Sequence, residues 1–163
     1  MKERSEGSNG YPEDLARYVE DFGVLMEGLG MSRMVSRTLG ALLVADPPEV
    51  TAGELAERLA ASRGSISAAT RTLVQVGFIE RTRPPGERKD HFRVKPDAWH
   101  ELTRRQLEAV TQFRKVGERG VELAEKRGLS ERTRGNLREF RDFYVFWEQE
   151  LPVALERWEK ERD

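Results

Sequence analysis

The apolar positions of this chain begin as a single helical stripe. In "YPEDLARYVEDFGVLMEGLG", Leu15, Val19, Phe22, Met26 and Leu29 step by four and by three, the spacing of one helix face. Pro12 and two acidic residues suit the first turn, and Gly28 and Gly30 close the element. "MSRMVSRTLGALLVAD" reads as a second helix, stopped by Pro47 and Pro48. Thr51 and Glu54 have the spacing of a capping box and open a short helix with Leu55 and Leu59 facing inward.

Ser62 then has the chemistry of an N-cap for "RGSISAATRTLVQV". Ile66, Thr70, Leu73 and Val74 are expected inside, and Arg63, Ser67, Ala68 and Arg71 on the opposite face. Gly77 ends the helix. "FIERTR" and "HFRVK" alternate as strands, and "PPGERKD" between them predicts a hairpin. A helix, a short helix, a helix with an exposed small-residue face and a basic hairpin follow one another in the order of a winged helix-turn-helix.

Beyond Pro96 and Asp97 the pattern is wholly helical. One long helix is expected over about 98–127, with Leu102, Val110 and Phe113 among its apolar positions, and Gly128 breaks it. Ser130 caps a last helix in which Leu137, Phe140, Tyr144, Trp147 and Leu151 step by three and four as a heptad seam. Ala154 and Trp158 continue the seam past Pro152, which is expected to kink or divide the helix.

Charge sharpens this picture more than composition does. The 163 residues carry a formal net charge of −1. Yet residues 62–95 hold Arg63, Arg71, Arg81, Arg83, Arg88, Lys89, Arg93 and Lys95 against Glu80, Glu87 and Asp90. That stretch is therefore about +5 and the remainder about −6. One basic element on an acidic body is the distribution expected where a single surface meets phosphates. A helix entering the major groove needs a low profile, which Ser65, Ser67, Ala68 and Ala69 would supply. Arg63 and Arg71 can reach base edges or phosphates, and the helix N-terminus offers free amides to a phosphate. Arg83, Arg88 and Lys89 lie at or beside the hairpin tip, where a wing touches the backbone or the minor groove.

The stretch from Gly30 to Trp99, "GMSRMVSRTLGALLVADPPEVTAGELAERLAASRGSISAATRTLVQVGFIERTRPPGERKDHFRVKPDAW", resembles the winged-helix core of the MarR superfamily of transcription regulators. It most resembles the subgroup that includes the glycine betaine synthesis repressor, with "SRGSIS" and "GFIER" its most specific parts. The resemblance implies a recognition helix carrying Arg63, Gly64, Ser65, Ser67, Ala68 and Arg71, and Ser62 at the helix start joins them as an expected DNA contact. It implies a wing carrying Arg83, Arg88 and Lys89, to which Arg81 on the first wing strand is added as an expected anchor. Wings of this kind carry an Asp-x-Arg element, where this chain has Glu87 beside Arg88. The resemblance further implies a homodimer on a roughly palindromic operator. Two apolar seams at the chain's ends agree with this, since they exceed what a three-helix head needs to bury. Leu15, Val19, Phe22 and Met26 at one end, and Leu137, Phe140, Tyr144, Trp147 and Leu151 at the other, are the expected dimer contacts. Two-fold symmetry would set the recognition helices about 34 Å apart.

Other chemistries find little support. The chain has no cysteine, which removes disulfides, thiolate zinc sites and a cysteine nucleophile. His91 and His100 are its only histidines and lack metal-ligand spacing, so no metal or other cofactor is expected. His91 falls on the second wing strand, within reach of a phosphate. "RGSIS" is not a nucleophile elbow and "GLGMSR" is not a dinucleotide fingerprint. "RDFYVFW" could cage a quaternary ammonium. Its Phe140, Tyr144 and Trp147 already serve the seam, leaving Phe143 and Phe146 spare, so packing is favoured.

The expectation is a mainly α protein, not an enzyme, soluble and cytoplasmic, with no membrane span and no leader. Residues 1–11 would be a flexible start, 12–30 an N-terminal dimerisation helix, 31–96 a winged helix-turn-helix and 97–163 a C-terminal helical dimerisation region. It would bind double-stranded DNA as a ligand-responsive repressor whose effector, a small molecule of unknown identity lodged between head and dimer region, changes the spacing of the heads. The alternative is a winged-helix module whose basic hairpin binds an acidic protein partner.

Overall fold

The computed structural model describes residues 11–162, so residues 1–10 of the expected flexible start lie outside it. Tyr11, the last residue of that expected start, departs from the expectation. It is buried, and its hydroxyl donates to the Ala41 carbonyl at 3.1 Å. The chain forms two compact units, one extending to Ala98 and the other beginning at Trp99.

In the first unit α1 (Glu13–Gly28) packs on α2 (Arg33–Leu43). The two helices approach closely because each places a glycine under a side chain of the other. A Cβ at Gly40 would stand 3.0 Å from the Phe22 ring. Val19, expected at a dimer contact, is only 2% exposed within this single unit and has no surface left for a partner. Leu29 lies at the other extreme of the same stripe, 75% exposed. The N-terminal helix is thus packed into the same compact unit as the elements that follow it.

β1 (Val50–Thr51) leads into α3 (Ala52–Arg58), where Thr51 and Glu54 form the expected capping box. The Glu54 amide donates to Thr51 Oγ1 at 3.2 Å, and the Thr51 amide donates to Glu54 Oε2 at 2.8 Å. After a turn in which Ala60 takes a φ of 47°, α4 (Arg63–Val76) begins. Leu39, Leu55, Leu59, Ile66 and Leu73 interlock at the centre of these helices, each essentially without exposure. Truncating such a residue costs about 2–5 kcal/mol. The buried hydroxyls of Ser36 and Thr38 donate to the carbonyls of Ser32 and Met34 four residues back, so neither is left unpaired.

Gly77 closes α4 in the left-handed conformation, with a φ of 92° that a side chain would strain. β2 (Ile79–Thr82) and β3 (His91–Val94) follow as the expected antiparallel hairpin, Ile79 opposite Val94 and Thr82 opposite His91. The sheet has a third strand that the hairpin pattern does not predict. β1 pairs with β3, placing Val50 opposite Phe92 and Thr51 opposite His91.

The second unit is an antiparallel pair of long helices, α5 (Ala98–Lys126) and α6 (Glu131–Arg162). Phe113 stacks on Tyr144 with ring centres 4.8 Å apart, and Phe140 meets Tyr144 edge-on at 4.8 Å. Gly117 lets the backbones approach, since a Cβ there would stand 3.0 Å from the Arg141 Cα. The seam therefore packs α6 on α5 in part within one chain. Pro152 does not divide α6, which runs through it in one piece. Among the described residues no helix is long and apolar enough to cross a membrane.

Candidate nucleic-acid interface

Helix α4 presents its two faces much as the spacing predicts. Ile66, Thr70 and Leu73 are buried, while Arg63, Gly64, Ser65, Ser67, Ala68 and Arg71 are exposed. Two assignments change. Val74 is 41% exposed, because it lies at the edge of the helix and turns into a cleft instead of the core. Ala69 is 1% exposed, because it sits three residues after Ile66 and four before Leu73, on the buried face. Its methyl group is core, and the low profile belongs to Gly64, Ser65, Ser67 and Ala68.

Ser62 caps the helix as expected. Its Oγ accepts the Ser65 amide at 3.1 Å and lies 2.8 Å from the Ser65 hydroxyl. The two hydroxyls at the helix start are thus joined to each other. A Cβ added at Gly64 would meet only the Ser62 Oγ, at 3.9 Å. Among the described residues no close packing requires this glycine, and it keeps the exposed helix start low.

The basic residues of the hairpin divide into tied and untied groups. Arg93 is held by Glu80 at 2.7 Å and by Glu49 at 3.0 Å, and braces the base of the wing. Arg81 and Arg83 are exposed, yet both reach Asp90, at 3.3 and 2.5 Å. The hydrogen bond from Arg83, reinforced by the charges of Arg83 and Arg81, holds the Asp90 carboxyl below the ordinary carboxylate range. His91 lies on β3 as expected, but its Nε2 is 2.6 Å from Glu87 Oε2, so the tip's acid is already engaged. Among the described residues Arg63, Arg71, Arg88 and Lys89 are exposed and form no ion pair and no side-chain hydrogen bond.

Asp90 is the residue of this surface that the sequence pattern does not single out, since it registers there only as one of three acids among eight bases. The available signal is alternation: Arg81 and Arg83 share one strand face, and the hairpin brings Asp90, the acid just before the returning strand, back beside them. Between α4 and the wing lies an open cleft of about 550 Å³. Ser67, Thr70, Arg71 and Val74 line one wall, and Arg81, Lys89 and Asp90 line the other, with the start of α3 at its end. Exposed cations, small residues and amide groups at a helix start make a surface suited to a phosphate backbone and an adjoining groove. Among the described residues no cluster of histidine and carboxylate side chains could hold a metal ion.

The comparisons agree with this geometry. Residues 29–90 match the family model described as MarR family, and residues 97–161 match that of an MmpR5-like MarR family transcriptional regulator. The chain is 36% identical over 149 residues to the HTH-type transcriptional regulator MmpR5 of Mycobacterium tuberculosis, covering 91% of this chain and 89% of that protein. The crystal structure of a transcriptional regulator superposes with a TM-score of 0.73 at 34% identity. It covers 90% of this chain and 99% of its own. With exposed cations on one helix and its wing, and a likeness that runs the length of the chain, this protein belongs to the MarR family of DNA-binding transcriptional regulators.

Proposed function

We propose that the protein is a repressor that binds a roughly palindromic operator as a homodimer and releases it when a small-molecule effector binds. The observation that carries this reading is the division of the basic residues. Arg63 and Arg71 on α4, with Arg88 and Lys89 on the wing, stay exposed and without an ion pair among the described residues, while their neighbours are tied to carboxylates. In this reading the face from Ser62 to Arg71 enters the major groove, with Arg63 and Arg71 at base edges. Arg88 and Lys89, with Arg81 and Arg83 behind them, hold the phosphate backbone.

The dimer is supported by the second unit. Two helices cannot enclose their own apolar residues, and Phe143, Phe146, Val153 and Trp158 each remain about half exposed. Leu137, Phe140, Tyr144, Trp147 and Leu151 are only partly covered by α5, as are Leu15, Phe22 and Met26 by α2. These residues form the proposed contacts between subunits. Repression follows from occupancy, because a bound dimer needs only to cover a promoter. The kinship of the head with the glycine betaine synthesis repressor belongs to this proposal and rests on "SRGSIS" and "GFIER". The helices after it match the MmpR5-like family.

Fluorescence anisotropy against duplex DNA from upstream of the protein's own gene, beside a scrambled duplex, tests the reading at about 0.15 M salt. Binding at about 10⁻⁸ M, with the scrambled duplex about a thousandfold weaker, is the expected result. Equal weak binding to both, with no duplex selected from a randomised pool, would reject it.

A further inference from the structure

Gly23 stands in the middle of α1, where a glycine weakens a helix. Its φ is ordinary, so backbone conformation does not require it. What requires it is Arg37: a Cβ at Gly23 would come within 2.9 Å of the Arg37 Cγ. The arginine stem crosses α1 at that point, and its side chain is only 15% exposed. The guanidinium beyond it has two partners. Nε donates to Glu20 Oε1 of α1 at 2.6 Å, and Nη2 donates to the Leu59 carbonyl at 3.2 Å. Leu59 is the C-cap of α3, where unpaired carbonyls carry partial negative charge and favour a cation. The next residue is Ala60 with its positive φ, and two further on Ser62 caps α4. Arg33 takes the other Glu20 oxygen at 3.3 Å, which holds that carboxylate in place.

One guanidinium on α2 therefore joins α1 to the turn from which the recognition helix starts. We propose that Arg37 is the positioning residue of the helix-turn-helix, fixing turn 60–62 and making the direction of α4 depend on α1. An exposed ion pair could not do this, being worth little in water. A largely buried guanidinium with two fixed acceptors can, because releasing it leaves both without their donor. The inference rests on the reading of α4 as the DNA-contacting helix, and Arg37 itself belongs to no DNA-facing surface.

The test uses the full chain and two readouts. Arg37→Met keeps the stem beside Gly23 and removes both hydrogen bonds. Amide hydrogen exchange at Ala60, Ala61 and Ser65 is expected to quicken about tenfold in this variant, with exchange at Leu73 unchanged. The ratio of affinities for the wild type's preferred duplex and a scrambled one is expected to fall about tenfold, with scrambled binding unchanged. Arg37→Lys, which retains a charge beside Glu20, should restore part of that ratio. Unchanged exchange in the turn, or faster exchange spread evenly through the unit, would overturn the inference. Should Arg37→Met fail to fold, Glu20→Gln decides, since it spares the Leu59 bond: a fall in the ratio of about threefold is expected, and no fall overturns the inference. A wild type that prefers no duplex would instead overturn the DNA reading, while the exchange measurement still decides the role of Arg37 at the turn.

Discussion

Asp90 accepts a hydrogen bond from Arg83 Nε at 3.0 Å, across the mouth of the wing. The carboxylate thus competes for the cation that a DNA phosphate would use. Asp90→Asn removes that competition and should strengthen binding to every duplex at low salt, with little change in sequence preference. The slope of log affinity against log salt should steepen by about one. Anisotropy titrations across a salt series check this, and weaker binding would show that Asp90 instead holds the arginines in a productive pose.

The acid limb of stability should report the same contact. The folded carboxyl of Asp90 titrates below its ordinary value, so its contribution is complete at neutral pH and is lost as pH falls through that lowered value. Glu54 behaves alike, held down by the Thr51 hydroxyl and then by the Thr51 amide. Thermal unfolding followed between about pH 6 and pH 2 should show a shallower acid decline in Asp90→Asn than in the wild type. At neutral pH, Thr51→Ala should cost about 1 kcal/mol through the lost cap.

Wing and helix should fail differently. Arg88→Ala should weaken all duplexes about equally, because a phosphate contact carries no sequence information. Arg63→Ala or Arg71→Ala should in addition relax preference at one position, by about 1–3 kcal/mol. Competition against single-base variants of the preferred duplex separates these cases. A change of preference in Arg88→Ala would put the wing in a groove as a reader.

Glycines in the second unit allow a paired test of packing. Gly117→Ala places a methyl 3.0 Å from the Arg141 Cα, and should cost about 1–3 kcal/mol by forcing the helices apart. Gly135 has nothing within 4 Å of its built Cβ. Gly135→Ala should therefore stabilise α6 by about 0.5–1 kcal/mol. Denaturant unfolding of both variants checks the pair, and equal effects would mean that α5 and α6 are not held at this distance.

Exposed rings should hold subunits together. Phe143→Glu combined with Phe146→Glu is expected to leave each subunit folded and to dissociate the proposed dimer, with sedimentation showing a single chain. Operator binding should fall with it, because half-sites one DNA turn apart then lose their shared anchor.

Much of this was legible along the chain, because local rules govern it. Thr51 to Glu54 is a four-residue device, and the intervals among Ile66, Thr70 and Leu73 are those of a helix face. Ala69 is small enough for the exposed face, but its intervals from Ile66 and Leu73 put it on the buried one. Val74 depends on how far the wing stands from α4, a distance no local pattern contains. Arg81 and Arg83 were readable as cations but not as tied ones, since their partner lies across the hairpin. Val19 followed the stripe correctly, but a stripe does not say whether α2 or another subunit covers it.

The short pairing of Val50 and Thr51 with β3 decides how this head could be re-engineered. The residue that caps α3 is also opposite the first residue of the second wing strand, so the wing shares its backbone ladder with the helix-turn-helix. Exchanging residues 78–95 for those of another regulator would leave β1 facing a foreign strand and disturb the start of α3. The smallest cassette that can carry a new operator preference into this scaffold therefore runs from residue 50 to residue 95.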